Sequence, residues 1–191
     1  MMEKFKTEIA AHFAALYEGN ARTLVMGEGA FLAKLMMVGE APGEQETIQG
    51  RPFVGKAGKN LEDFLLLSGI NRKDIYITNT VKIRPTRISN AGRLVNRPPS
   101  REEIALFLPW LKKEIDLVKP KCIATLGNVP LKALTNNKTT IGEVHGRFIA
   151  LESGVLLYPM YHPASLIYNP SLTEVYREDV LHLGNWVREN A

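Results

Sequence analysis

The chain has 191 residues, with 24 lysines and arginines against 20 aspartates and glutamates and a net charge of +4 at neutral pH. This length suits a single domain with a sizeable core. A composition of 45% hydrophobic and 23% charged residues excludes disordered and membrane-embedded classes, while the small positive charge permits a polyanionic partner without requiring one. The start is charged and lacks a signal-peptide core, and no apolar run is long enough to cross a bilayer. One cysteine, Cys122, excludes an internal disulfide and any all-cysteine metal site within one chain. The expectation is a cytoplasmic monomer with one domain over residues 1–191.

Residues 1–20 read as a helix, with Phe5, Ile9, His12, Phe13 and Leu16 at helical spacing. Residues 35–39 form an unbroken apolar run, the signature of a strand buried on both faces. It stops at Gly39-Glu40-Ala41-Pro42-Gly43, whose glycines allow a tight bend and whose proline stiffens it. Such a loop sits at the carboxyl end of a parallel strand, where open α/β sheets place ligands. Glu40, Glu44 and Glu46 lie on or beside it. Residues 49–58 read as a second fixed loop carrying Arg51, Phe53 and Lys56. Phe53 there is either a core anchor or a platform for a planar ligand. A helix over residues 59–68 is closed by Gly69.

The second strand covers residues 74–81 and carries Asn79 near its end, an amide that can donate and accept together. Residues 82–99 read as a long loop with five cations, Lys82, Arg84, Arg87, Arg93 and Arg97, and no acid. Loops of that length in compact domains are functional or disordered, and this charge pattern suits phosphates. Ser100 and Glu103 form a capping box that starts a helix running to about Val118. Residues 121–127 are the third strand, with Cys122 as a small buried hydrophobe. A helix follows over residues 128–134, then a small antiparallel strand within residues 147–151. The fourth strand spans residues 155–161 and ends at His162-Pro163-Ala164-Ser165-Leu166. A last helix runs from about Leu172 to Glu189. His12, His145 and His182 are scattered and read as structural or surface residues.

Strands alternating with helices imply an α/β fold: a three-layer α/β/α sandwich around a central four-stranded parallel sheet. The loops after the strands bring Glu40 and Glu46, Asn79, and His162 with Ser165 to one edge. That convergence argues for a site.

Four motifs in order, Gly39-Glu40-Ala41-Pro42-Gly43, residues 50–58, residues 78–85 and His162-Pro163-Ala164-Ser165-Leu166, resemble the uracil-DNA glycosylase superfamily, and within it the iron–sulfur family. The resemblance covers nearly the whole chain from Arg22. It implies a DNA repair enzyme that hydrolyses the N-glycosidic bond of uracil in single- or double-stranded DNA, releasing the base and leaving an abasic site. Phe53 then matches the stacking aromatic and Asn79 the amide that pairs with the uracil edge. His162 matches a donor to uracil O2, assisted by backbone N–H groups of the loop through Gly39, Ala41, Pro42 and Gly43. Glu40, with Glu46 second, matches the carboxylate that stabilises the sugar cation and orients water. DNA contacts are implied for Lys56, Lys82, Arg84, Arg87, Arg93, Arg97 and Ser165, with Leu166 or Tyr168 as a wedge.

Departures from the family pattern are as informative. No cysteine precedes Cys122. The third and fourth cluster positions hold Ile83 and Phe107, which cannot replace thiolates as iron ligands. No iron–sulfur cluster or other metal is therefore expected, and apolar packing should hold the amino-terminal helix. In a sub-branch that binds uracil covalently through a loop histidine, Asn96 takes the histidine's place, so turnover by water is expected. The alternatives are a glycosylase for another deaminated base, such as hypoxanthine or xanthine, and a catalytically weak protein that binds damaged DNA. A small-molecule or nucleotide-binding α/β protein is the fallback outside the superfamily.

Overall fold

The computed structural model describes residues 1–17, 22–135 and 139–190. Its centre is a parallel sheet of β2 (Leu35–Gly39), β3 (Tyr76–Asn79), β6 (Cys122–Leu126) and β8 (Leu156–Met160). The expected four parallel strands are present, but the sheet has six strands. Two-residue strands β1 (Glu28–Gly29) and β7 (Ile149–Ala150) pair antiparallel on β3 and β8, giving the order β1-β3-β2-β6-β8-β7. Strands that short carry no periodicity, so only the β7 segment was legible beforehand.

Alternation across the sheet builds the layers. Leu35 and Met37 of β2 face one side, with Leu61 and Leu65 of α3 (Lys56–Ser68) and Tyr176, Val180 and Leu183 of α8 (Thr173–Glu189). Met36 and Val38 face the other, with Leu111 and Val118 of α4 (Arg101–Val118), Leu131 of α5 (Asn128–Thr135) and Ile141 of α6 (Ile141–Val144). Burial on both faces is why the central strands are unbroken apolar runs. Gly69 ends α3 in the left-handed conformation at φ +72°. Ser100 caps α4 as expected, its Oγ accepting from the Glu103 amide while Glu103 accepts from the Ser100 amide.

The amino-terminal helix α1 is shorter than expected, Met2–Leu16; positions 18–20 of that expectation lie outside the described residues. Phe5, Ile9 and Phe13 are buried with Val81, Ile83 and Phe107, and the Phe13 and Phe107 rings stack 4.2 Å apart. His12 and Leu16 instead face outward. Cys122 is fully buried, which pushes its thiol up to about 12.

Residues 82–99 are not a structureless loop. They contain an antiparallel hairpin of β4 (Thr86–Ile88) and β5 (Leu94–Asn96). At its root Lys82 is fully buried, and its ammonium donates to Glu114, to the Thr78 hydroxyl and to the Asn79 carbonyl. Tyr76 and Thr78 hydroxyls complete the shell of Glu114 at 2.8 and 3.0 Å. Lys82 therefore cannot serve as a DNA contact. Its charge faces inward because Glu114, projecting from α4, offers a partner that water does not reach.

Breaking a buried pair strands a charge in the core, which costs about 3–5 kcal/mol. Lys82→Met alone should lower stability by that amount in urea titration. Lys82→Met with Glu114→Leu should recover at least part of the loss, because neither charge is then uncompensated.

Candidate functional site

The parallel strands run β3-β2-β6-β8, so the chain reverses its direction of travel across the sheet between β2 and β6. Crevices form beyond the carboxyl ends of strands at such a point. Here the cavity holds about 260 Å³ and is lined by Ala41, Gly43, Glu46, Phe53, Lys56, Asn79 and His162 from the expected set. That volume lies below the roughly 300 Å³ at which pockets for larger organic ligands begin, and suits one flat ring.

Each wall has a local cause. Gly39 lies buried at the end of β2, where a Cβ would stand 2.4 Å from the Phe53 ring and 2.5 Å from Asn79 Oδ1. The ring and the amide thus face the same small space, which only glycine leaves open. Asn79 is 2% exposed, and its side chain makes no hydrogen bond among the described residues. A buried amide without a partner is costly; this one opens onto the cavity.

Phe53 adopts φ +52°, a conformation that a bulky residue holds only when its surroundings impose it. Arg72 donates to the Pro52 and Phe53 carbonyls at 2.7 and 3.3 Å, and is itself held by Glu28 at 3.0 Å. Gly58 packs flat on the Phe53 carbonyl, where a Cβ would sit 2.0 Å from its oxygen.

Glu46, on α2 (Glu44–Gln49), accepts from three backbone amides: Gly43 at 3.1 Å, Val54 at 3.0 Å and Gly55 at 2.7 Å. It clasps the two loops together. The Gly43 amide is thereby committed, and Pro42 has no N–H and lies buried away from the cavity lining. Glu40 sits at the end of β2 beside the cavity without lining it. Its carboxylate makes no hydrogen bond or ion pair among the described residues, and burial raises its pKa above the ordinary carboxylate value.

His162 follows β8 and packs against Gly127, whose φ of +96° turns the chain after β6; its ring centroid is 6.0 Å from that of Phe53. Burial pushes its pKa down to about 4, with Glu46 opposing the shift weakly. The imidazole is neutral at pH 7. The Ala164 amide donates to Nδ1 at 3.1 Å, which leaves the proton on Nε2 as a donor.

The chain as a whole is similar to known proteins. A family model described as the uracil DNA glycosylase superfamily matches residues 26–183. The chain is 37% identical over 186 residues to a type-4 uracil-DNA glycosylase of Sulfurisphaera tokodaii, covering 93% of this chain and 81% of the relative. It is 31% identical to a type-5 uracil-DNA glycosylase of Pyrobaculum aerophilum, covering 80% and 73%. The chain belongs to the uracil DNA glycosylase superfamily. The crystal structure of Pedobacter heparinus SMUG2 shares the fold at a TM-score of 0.58 and 13% identity, covering 96% of this chain and 83% of that one.

Not every expected residue of this superfamily member reaches the cavity. Ser165 and Leu166 do not line it, and Leu166 packs against the core. The next two residues of α7 (Ser165–Tyr168), Ile167 and Tyr168, line the mouth instead, with Asn96 of β5 and Ala164. Ile167 went unread because a four-residue helix gives no periodicity to say which side chains turn outward. Among the loop cations Arg87 and Arg93 are exposed and make no ion pair among the described residues. Arg84 bonds Asn96 and Glu44, and Arg97 holds Glu103 through both oxygens. The donor set does not fit an iron–sulfur cluster. Ile83 and Phe107 lie in an apolar cluster, and Cys122 sits in β6 away from both.

Hydrogen bonds to a charged acceptor contribute about 1.5–3 kcal/mol each. Glu46→Gln should therefore speed hydrogen exchange at the Val54 and Gly55 amides selectively, while amides of β6 keep their protection.

Proposed function

We propose that this chain is a monofunctional uracil-DNA glycosylase that hydrolyses the N-glycosidic bond, acting as a monomer and needing no metal. What carries it is the Asn79 amide, without a side-chain partner among the described residues and buried beside the Phe53 ring, in a cavity that His162, an Nε2 donor, also lines. The superfamily relatives named uracil-DNA glycosylase support the same reading. A cavity of this size takes one base, so the nucleotide leaves the stack before reaction.

Uracil stacked on Phe53 offers O4 to the Asn79 N–H and N3–H to its carbonyl oxygen. Cytosine presents the reverse pattern and leaves the amide unpaired, which a site built on hydrogen bonds rejects strongly. As the C1′–N1 bond breaks, its electron pair passes to the base and the charge settles on O2. His162 Nε2–H meets that oxygen, with the backbone amides of Glu40 and Ala41, which make no hydrogen bond among the described residues, beside it. The sugar is left as an oxocarbenium ion. Glu40 faces it as a carboxylate and takes a proton from the attacking water, whose hydroxyl joins C1′. The base leaves as the uracil anion, and once the proton held by Glu40 has passed through solvent to its N1, uracil and an abasic sugar are the products and Glu40 is again a carboxylate. Glu46, with its oxygens occupied by three amides, is a positioning residue that holds the Phe53 loop against the Gly43 turn.

Free uracil should be released from an oligonucleotide carrying one uracil with chelator present. His162→Ala should lose about 10²–10³ in the single-turnover rate, the usual cost of one oxyanion donor. Asn79→Asp should lose uracil release and gain cytosine release. Binding without release by the wild type would instead favour a protein that only recognises damaged DNA.

The pH profile follows from the two shifts. Glu40 acts deprotonated and its pKa is raised, so activity should fall on the acid side at a pH above the ordinary carboxylate value. His162 stays neutral down to about pH 4, so no step should appear near the ordinary imidazole pKa. Folded stability, by contrast, should decline as pH drops below the unfolded imidazole value and flatten near pH 4, because the unfolded chain binds that proton first. Single-turnover rates and urea midpoints between pH 4 and 8 check both.

A further inference from the structure

The β4–β5 hairpin displays an apolar pair that the fold does not use. Thr86 pairs with Asn96, and Ile88 with Leu94. Direct cross-strand partners share a face, as do residues two apart. Asn96 lines the cavity mouth, so Ile88 and Leu94 stand on the same face, about 7 Å further out at two strand residues. They are 70% and 58% exposed and join no core cluster among the described residues.

The arm that carries them is built, not loose. Ser89 and Arg93 close its turn, the Ser89 amide donating to the Arg93 carbonyl at 2.8 Å, with Gly92 at φ +73°. Its root is pinned where Arg97 donates to the Thr86 carbonyl and both Glu103 oxygens, and where Arg84 donates to Asn96. A pinned arm thus presents two bare aliphatic side chains next to each other, an apolar surface open to a partner. Charge identifies what meets them. Residues 82–99 contain no acid, and the two cations next in sequence to the apolar pair, Arg93 at the turn and Arg87 on the opposite face of the ribbon, are exposed and without an ion pair among the described residues. A thin ribbon with an aliphatic pair on one face and unpaired arginines at its turn and far face matches a base step with phosphates on either side of it. Across the mouth, Ile167 and Tyr168 are 47% and 86% exposed, so the cavity opens between two apolar jaws.

Resting on the reading of the cavity as a uracil-DNA site, we propose that this hairpin is a duplex-contacting arm. Ile88 and Leu94 press into the stack beside the extruded nucleotide, and Arg87 and Arg93 take the adjoining phosphates. A wedge matters only where a stack must be opened. The apolar pair therefore serves uracil in duplex DNA and is idle on a single strand, whereas the arginines serve both.

The test compares uracil release from one oligonucleotide, single-stranded and annealed, for wild type, Ile88→Ser/Leu94→Ser and Arg87→Ala/Arg93→Ala, with thermal melts confirming the fold of each. The serine variant should lose about tenfold or more in kcat/KM on duplex and keep its single-strand value. It should also lose the fluorescence rise of 2-aminopurine placed beside uracil in the duplex. The arginine variant should weaken binding to both forms and flatten the log Kd against log salt slope by about two on duplex. Equal effects of the serine variant on both forms, or none on either, would overturn the proposal, the second outcome pointing to a protein partner for the arm. Wild type that releases uracil from neither form would overturn the reading of the cavity instead.

Discussion

The arrangement of this molecule depends on one buried ion pair. Lys82 and Glu114 are both fully buried, and their site joins three elements. Glu114 comes from α4, the hydroxyls of Tyr76 and Thr78 come from β3, and the Lys82 ammonium reaches back to the carbonyl of Asn79. Burial alone depresses the lysine's pKa, and the carboxylate beside it works against that shift. Such pairs give little net stability but penalise every arrangement that leaves a charge alone. The consequence is a single permitted path for the chain as it leaves β3. Asn79 is held at the cavity, and the hairpin follows from Thr86.

The same economy recurs around the cavity. The two loops that carry Gly43 and Phe53 beside the cavity are tied by charged side chains. Arg72 holds the carbonyls of Pro52 and Phe53, Glu46 holds the amides of Gly43, Val54 and Gly55, and Glu28 binds both Arg72 and Arg51. Charge-assisted bonds to backbone are short and directional, and they fix a loop without the large side chains that would fill the pocket. The left-handed Phe53 persists because the clasps on either side outweigh its preference for ordinary conformations. Ligand space and rigidity are thereby obtained from the same residues.

Much of this was legible in the sequence, and the reasons divide by physics. Strands β2, β6 and β8 and helices α3, α4 and α8 are long enough for periodicity and capping to define them. Glu46, Asn79 and His162 could be placed near one another because they lie at or in the segments after strand ends, whereas Phe53 was placed only by the family resemblance. Lys82 misled because a lysine in a run of cations reads as solvated, and its partner is 32 residues away on another element. The hairpin was read as a loop since its strands are three residues each. Glu46 could be named but not given its part, because nothing local says that a carboxylate will be filled by amides from residues 43, 54 and 55. Leu166 and Ile167 differ only in the direction a single helical turn points them.

The amino-terminal region is held by apolar packing at the positions where the resemblance to the iron–sulfur family would place cluster ligands. Thiolates around iron would stitch distant segments through metal bonds; here six buried apolar residues from α1, α4 and the chain after β3 do it by packing. Fully burying such a side chain contributes about 1.5–3 kcal/mol, an upper figure because unfolded chains bury part of it already. Several together match what a structural cross-link supplies, without dependence on thiol chemistry. Ile83 and Phe107 are therefore not empty positions. Ile83 anchors the residue next to Lys82, and Phe107 stacks on Phe13 two turns before Glu114 on the same helix. The apolar cluster and the buried ion pair hold adjacent points of one chain crossing, so the packing that ties down α1 also keeps β3 and its terminal amide in place.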